Sequence, residues 1–306
     1  MFASTLTWPA GTVISVASVF EVPNPSDLAI RHMQGKGFED WRQILEQSHT
    51  TARDQARRYT ADAAAALRAR HQAVDVDEVI CLGEPAAELL VLARSVEAEL
   101  LIAGARGHTA LECLLLGSVS EALVTEAPCP VLIVRAPVTE LRTVIVALRT
   151  PDDADRLAEA CLRLPLPTTT RLVAVTASAP RPIANPGRQP FAPGDVETLL
   201  AAWAEDDRVE AELAGQRFVE RVRAGDPGRT VETRVIRGEL HPSVMEPRAD
   251  VVPALLAEAK ALDASLMVVG AREHHGLTAR LGLGSVSRKL VRRAPMAVLV
   301  VREAPE

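Results

Sequence analysis

The sequence has few aromatic residues and no excess of positive charge. Only 3% of its 306 residues are Phe, Trp or Tyr, and its formal net charge is −6. Proteins hold nucleic acids mainly through Lys and Arg, and they hold single strands by stacking the bases on aromatic rings. The composition therefore argues against a nucleic-acid partner, and the acidic balance argues against an anionic membrane surface.

Long hydrophobic runs and paired cysteines are also missing. No run approaches the roughly 18 apolar residues that indicate a membrane span. The apolar start of the chain lacks the basic residues and cleavage pattern of a secretion signal, so we expect a cytoplasmic protein. The four cysteines form no C-x-x-C pair, which is typical of a reducing compartment. We predict that all are buried thiols: Cys81, Cys113, Cys129 and Cys161.

The sequence does contain an internal repeat. The segment SVEAELLIAGAR (95–106) aligns with ALDASLMVVGAR (261–272), and GSVSEALVTEAPCPVLIVR (117–135) aligns with GSVSRKLVRRAPMAVLVVR (284–302). The offset is 166 residues in the first pair and 167 in the second, so the second copy has gained one residue between them. A period this long indicates a duplicated domain rather than a solenoid.

Strand-like and helix-like segments alternate within each copy. Short apolar runs such as TVIVAL (143–148) are typical of strands buried on both faces, whereas VPALLAEAKAL (252–262) has helical spacing. Alternation of this kind predicts a parallel sheet with right-handed crossovers. We therefore predict two tandem doubly wound α/β domains, residues 1–138 and 139–306, with strand order 3-2-1-4-5. The Pro/Gly-rich segment 179–195 is interpreted as a loop.

The first copy is too short at its start. In the second copy a strand beginning at Val144 precedes the strand that ends at Val175, but the matching strand of the first copy ends at Val19. Either the chain begins too late, or the first domain is built without its first strand and most of its first helix. That strand is the central one in a 3-2-1-4-5 sheet, and its loss leaves two inner edges unpaired. We predict that segment 13–19 pairs directly with 99–104 or leaves a gap filled by something else.

Each copy ends in an apolar segment, PVLIVR (130–135) in the first and AVLVVR (297–302) in the second. An apolar strand at the edge of a sheet exposes unpaired backbone groups and is normally covered by another element. We predict that the two halves pack through these segments as an intramolecular pseudo-twofold pair.

Glycines surround one loop of the first copy. Gly104 and Gly107 follow a predicted strand, and Gly117 and Ser118 open the next helix. Glycine lets backbone N–H groups approach an anion closely, and a helix start adds unpaired donors. These features predict a phosphate cradle. The alternative is that the glycines only end the strand, while Ser118 caps the helix with Glu121 completing a capping box.

The spacing Gly-x2-Gly-x9-Gly-Ser across 104–118, preceded by LLIAG and followed by APCPVLIVR, resembles the ATP-binding type of the universal stress protein family. The resemblance covers nearly the whole chain as a tandem pair. It implies a five-stranded α/β unit like that of the adenine nucleotide alpha hydrolases, and dimerisation through the last strands. It also implies ATP or AMP as ligand, with Mg²⁺ accompanying ATP.

The resemblance assigns roles to individual residues of the first copy. Gly104, Gly107, Gly117 and Ser118 match the family's phosphate and ribose residues, and Val19 matches the valine whose backbone meets the adenine. The family's Asp at the end of its first strand has no counterpart in the first copy, because that strand is absent.

The second copy departs from the family pattern elsewhere. The Asp position falls on Arg149, and Glu273 or His274 stands in place of the second glycine, with one extra residue before Gly284. A carboxylate near the phosphates disfavours their binding. We expect the second copy to be the poorer binder.

Three functions are consistent with this pattern. The first is a non-catalytic regulatory protein of the stress response that binds an adenine nucleotide. The second is a slow ATPase, and the third is a structural module for dimerisation. A homodimer of the whole chain is compatible with the pattern as well. No Ser, His and Asp set has a recognisable catalytic context. Glu273, His274 and His275 suggest a metal site, but adjacent histidines point in different directions and no third ligand is spaced to join them. We therefore expect a protein that is not an enzyme.

Overall fold

The computed structural model describes residues 2–21, 36–105, 116–178, 193–237, 239–241, 248–271 and 283–302. A short 3-10 turn, Phe2–Thr5, opens the chain. The strands are β1 (Val13–Phe20), β2 (Asp75–Leu82), β3 (Leu101–Gly104), β4 (Val131–Val134), β5 (Thr143–Leu148), β6 (Arg171–Ser178), β7 (Val231–Arg237), β8 (Glu239–His241), β9 (Arg248–Asp250), β10 (Leu266–Gly270) and β11 (Ala297–Val301). The helices are α1 (Lys36–Arg70), α2 (Pro85–Ser95), α3 (Ser118–Glu126), α4 (Pro151–Arg163), α5 (Pro193–Gly225), α6 (Val252–Ala261) and α7 (Ser285–Arg293).

Seven strands form one sheet in the order β3-β4-β11-β10-β5-β6-β7. All neighbours are parallel except β4 and β11. Within the second half the order β11-β10-β5-β6-β7 is the predicted 3-2-1-4-5 sheet read from its other edge. The predicted α/β fold class is therefore confirmed.

The central strand β5 shows why the second half folds as predicted. Val144, Ile145 and Val146 are fully buried. Successive side chains of a strand point to opposite faces, so β5 contributes Val144 and Val146 to one core and Ile145 to the other. The first core also contains Leu157 of α4 and Phe218 of α5. Helices α2, α3, α6 and α7 supply the second core.

The first half has a gap where its central strand belongs. Among the described strands, β1 pairs only with β2 and forms a separate two-stranded sheet, whereas β3 pairs only with β4. β1 and β3 do not pair, so the structure adopts the second predicted alternative, a gap. β1 and β3 are mostly half-buried, but β6 and β10 of the second half are almost wholly buried. The missing strand thus exposes apolar strands on both sides of the gap.

The start of the chain packs against the core of the main sheet and the cluster under α1. Phe2 and Leu6 are buried in the core that also holds Leu132 and Leu141. Trp8 packs against both this core and the smaller cluster under α1, and its indole N–H donates to the carbonyl of Ala3 at 2.8 Å. The Thr7 amide donates to Pro165 at 2.7 Å, which ties the segment to the second half.

Two details of the sequence interpretation need correction. Cys129 and Cys161 are buried, and burial raises the pKa of Cys161 to about 12. Cys81 is only half-buried because β2 belongs to the isolated two-stranded sheet, and Cys113 lies outside the described residues. The predicted loop 179–195 ends too late, since α5 already begins at Pro193, and residues 179–192 are not described.

Within the described part of the chain, no helix is long and apolar enough to cross a bilayer.

The two halves meet along β4 and β11, which pair antiparallel with Leu132 opposite Leu299. This confirms the predicted contact between the two apolar segments. Arg135, just after β4, donates to the Val291 carbonyl in α7. Arg302, just after β11, donates in return to the carbonyls of Val124, at 3.2 Å, and Thr125 in α3. Each guanidinium therefore reaches the carboxyl end of a helix in the other half, where the helix dipole favours a cation.

We expect Arg302→Ala to lower the free energy of unfolding by about 1–3 kcal/mol, because it removes a charged hydrogen-bond donor from half-buried helix carbonyls. Chemical denaturation measures this loss. Arg163→Ala is the control, since its ion pair with Glu159 is largely exposed and such pairs contribute little. Equal destabilisation by the two variants would contradict the role given to Arg302.

Candidate functional site

The glycine loop of the first half brings a strand end and a helix start together. Gly104 is the last residue of β3, and Gly117 is the N-cap of α3. The Gly117 amide donates to the Ala105 carbonyl at 3.0 Å, and the Ser120 hydroxyl donates to the Gly104 carbonyl at 2.7 Å. These two bonds hold the first turn of α3 against the carboxyl end of β3. Gly107 lies outside the described residues.

No side chain caps the start of α3. Gly117 occupies the N-cap with φ −68° and ψ 154°, and it has no side-chain oxygen to accept from the first turn. Ser118 is the first helical residue, so the capping-box interpretation is wrong. Glu121 instead forms an ion pair with Arg292 of the other half, with Oε1 and Nη2 2.5 Å apart. The first-turn amides are thus left to an acceptor other than a capping side chain.

Val19 lies apart from this helix start. It is near the carboxyl end of β1, and the position of the missing strand separates β1 from β3. Of the residues predicted to bind nucleotide, the structure brings together Gly104, Gly117 and Ser118, and it places Val19 across the gap. The side of the site assigned to adenine is therefore incomplete in the described residues.

The second half repeats the same local geometry. Gly270 ends β10, Gly284 is the N-cap of α7 without a side-chain bond, and the Ser287 hydroxyl donates to the Gly270 carbonyl at 2.6 Å. Glu273 and His274 lie outside the described residues. The described strand end and helix start therefore have the same arrangement in both halves.

A charged cluster lies at the end of the second half's central strand. Asp153, in the first turn of α4, pairs with Arg149 at 3.1 Å and with Arg156 at 2.6 Å. The Arg156 guanidinium also lies 3.4 Å from the Ala271 carbonyl. A Cβ built on Gly270 would be only 2.7 Å from that guanidinium. Arg156 therefore covers the strand end that corresponds to Gly104 of the first half.

The sequence interpretation identified Arg149 but missed Arg156. The spacing of Asp153 and Arg156, three residues apart on one helix, is the signal that could have found it. In the described part of the first half, helices α1, α2 and α3 correspond to α5, α6 and α7, and none corresponds to α4. Among the described residues, no group of three His, Cys, Asp or Glu side chains could hold a metal ion.

This doubly wound α/β arrangement, with a glycine-flanked loop at the strand ends of each half, matches a known family. The universal stress protein family matches residues 13–135 and 140–302. The chain belongs to the universal stress protein family. The first matched segment begins at β1, whereas the second begins just before β5. The family match therefore agrees with the structure, in which no described strand of the first half corresponds to β5.

Individual relatives cover shorter stretches. A universal stress protein of Methanocaldococcus jannaschii is 45% identical over 58 residues, 19% of this chain and 34% of that protein. The chain thus spans about a third of the length of that relative. A crystal structure of a universal stress protein from Archaeoglobus fulgidus is 19% identical with a TM-score of 0.56, covering 95% of this chain and 88% of that one, which shows the fold. One from Arabidopsis thaliana with AMP bound is 16% identical with a TM-score of 0.34, over 53% of this chain and 92% of its own.

We expect Asp153→Asn to lower the free energy of unfolding by about 1–3 kcal/mol, because it leaves two guanidinium groups without their shared carboxylate. Asp152→Asn is the matched control in the same helical turn, since the Asp152 side chain is 96% exposed whereas that of Asp153 is 13% exposed. Chemical denaturation of both variants measures the difference. If the two substitutions cost the same, the charged cluster does not stabilise the second half.

Proposed function

We propose that this chain is a non-catalytic regulatory protein that binds an adenine nucleotide on the loop of its first half. The observation that carries the proposal is the uncapped start of α3, held against the end of β3 by the bonds of Gly117 and Ser120. Amides at a helix start converge on an anion, and the helix dipole favours negative charge there. In this proposal Gly104, Gly107, Gly117 and Ser118 hold the phosphates and ribose.

Two features favour the first half over the second. Arg156 lies against Gly270 in the second half, and no helix in the described part of the first half carries a counterpart of Arg156. Asp153 also brings a carboxylate to the second site, 2.6 Å from Arg156. A nucleotide there would have to displace an ion pair before reaching the strand end.

The proposed ligand is ATP, bound weakly. The phosphate side of the first site is built from described backbone groups, whereas Val19 stands across the gap. Mg²⁺ would accompany ATP through the phosphate oxygens, since the described residues offer no cluster to hold the ion alone. The bound nucleotide would supply the signal, and the protein residues would bind it without performing a reaction on it.

The wider proposal concerns assembly and location. The reciprocal contacts of Arg135 and Arg302 support an intramolecular pseudo-dimer. In it, the two halves of one chain pack through the surface that, by the family resemblance, joins two separate chains. The β4–β11 ladder also supports a second candidate function, a structural module without a ligand. The scattered, unpaired cysteines support a cytoplasmic location.

Calorimetric titration with ATP tests the site through Gly117→Val. Of the described residues, a Cβ at Gly117 would meet only the Ala105 carbonyl, at 3.5 Å, and φ is −68°, so these residues tolerate a side chain there. We expect valine to weaken ATP binding by at least roughly tenfold, because its methyl groups stand where the phosphates approach the amides. Gly284→Val, at the matched position of the second half with φ −56°, should leave binding nearly unchanged.

The remaining outcomes separate the alternatives. Equal losses from the two substitutions, or a loss from Gly284→Val alone, would contradict the assignment to the first half. No binding of ATP by the unaltered chain would favour the structural module. Steady release of phosphate from ATP, abolished by Gly117→Val, would show a slow ATPase instead.

A further inference from the structure

We propose that the outer surface of α7 is a docking site for a second copy of this chain, which binds there through the outer surface of its α5. The contact is head-to-tail, since it joins two different surfaces. The proposal is independent of nucleotide binding. It rests on the opposite charges of the two helices, on the ion pairs already formed around them and on the exposed apolar side chains of α5.

α7 differs in charge from α3, its counterpart in the first half. The two helices have the sequences SVSRKLVRR and SVSEALVTE. α3 carries two carboxylates and no cation, whereas α7 carries four cations and no carboxylate. All four are exposed and form what we term the basic face: Arg288, Lys289, Arg292 and Arg293. This concentration of positive charge, in a chain of net charge −6, indicates a surface for a negatively charged partner.

Carboxylates of the chain already pair with two members of the basic face. The Lys289 ammonium lies 2.9 Å from the carboxylate of Asp250, and the Arg292 guanidinium lies 2.5 Å from that of Glu121. These two carboxylates and the negative net charge repel the phosphates of a nucleic acid or of an anionic membrane. The surroundings of α7 therefore favour an acidic polypeptide as the partner.

The other two members of the basic face are left for that partner. Arg288 and Arg293 form no ion pair with a described residue. Their positions differ by about 140° around the helix axis, so they stand on the two sides of the exposed surface of α7. A second helix that lies along α7 would thus have an arginine on each side.

The acidic surface with which they can pair is on α5. Residues 205–212, EDDRVEAE, contain five carboxylates and one arginine. Four exposed carboxylates form what we term the acidic face: Glu205, Asp206, Glu210 and Glu212. Arg208 pairs with the first and last of these, whereas Asp206 and Glu210 form no ion pair with a described residue. The acidic face therefore keeps an excess of negative charge.

Exposed apolar side chains lie between the carboxylates of α5. Val209 and Leu213 are one helical turn apart, and each is 52% exposed. The exposed surface of α7 also includes an apolar side chain, Val286, which is 37% exposed. Protein interfaces commonly have an apolar centre and a polar rim. Docking would cover this apolar centre and bring the flanking charges of opposite sign together.

The acidic and basic faces cannot meet within one molecule. Phe218 of α5 and Leu290 of α7 lie in different cores, and these cores are on opposite faces of the seven-stranded sheet because neighbouring residues of β5 contribute to different ones. The two faces can therefore pair only between copies. Such a contact leaves one acidic and one basic face free, so the assembly can extend to a third copy.

We expect weak association, with a dissociation constant of roughly 0.1–1 mM at low salt, because ion pairs between exposed side chains individually contribute little. Sedimentation equilibrium of the complete 306-residue chain measures this constant. Raising the NaCl concentration from about 0.05 M to about 0.5 M should weaken the association at least tenfold, because salt screens exposed charges.

Two double variants identify the surfaces. Arg288→Glu with Arg293→Glu disables the basic face, and Asp206→Lys with Glu210→Lys disables the acidic face. We expect each variant alone to be monomeric. An equimolar mixture should form a dimer with the dissociation constant of the unaltered chain, because one variant keeps an intact α5 and the other an intact α7. The mixture should stop at two copies, since the remaining faces are disabled.

The matched control is Arg57→Glu with Arg58→Glu. These two arginines are exposed on α1, and their reversal changes the net charge as much as that of Arg288 and Arg293. We expect the control to associate within roughly threefold of the unaltered chain, because its α5 and α7 are intact. An equal loss in the control would overturn the proposal, since net charge alone would then govern association.

Three further results would also overturn it. The first is undiminished association of either double variant, which would place the contact on another surface. The second is a mixture that forms no dimer, which would mean that α5 and α7 do not bind each other. The third is an unaltered chain that stays monomeric at about 1 mM and low salt. If that chain instead bound double-stranded DNA or phosphatidylglycerol vesicles through Arg288 and Arg293, the basic face would serve a polyanion.

Discussion

The antiparallel pairing of β4 with β11 is the contact on which the rest of the structure depends. A doubly wound sheet is normally held together by its central strand, and no described strand lies between β1 and β3. Backbone pairing therefore cannot link the β1–β2 pair to β3 and β4. The β4–β11 ladder instead attaches β3 and β4 to the complete sheet of the second half, and Arg135 and Arg302 reinforce it from both sides.

This attachment determines what the candidate site can do. The start of α3 and the end of β3 are anchored to the sheet of the second half, so the phosphate side of the site has a rigid support. Val19 belongs to the separate β1–β2 pair, whose position depends on side-chain packing by Trp8, Ile102 and the cluster under α1. The proposed nucleotide thus spans two parts of the molecule that different forces hold in place.

Much of this architecture is predictable from the sequence. The repeat predicts the α/β halves, the apolar ends of both copies predict the β4–β11 contact, and the short stretch before Val19 predicts the gap. The contact of Arg156 with Ala271 and the packing of Phe2 and Leu6 were not predicted, because they join residues that are far apart in the sequence. Ser118 was misplaced as a cap because Ser is a good capping residue, but the chain enters α3 one residue earlier, at Gly117.

Native-state hydrogen exchange of the free chain tests the central claim most directly, namely that β3 and β4 belong energetically to the second half. The account predicts that amides bonded between β3 and β4 open with the same free energy as those of β10 and β11, whereas amides bonded between β1 and β2 open at a lower free energy. If β1, β2, β3 and β4 instead open together as one unit while β10 and β11 stay protected, the β4–β11 ladder does not govern the first half and the account is contradicted.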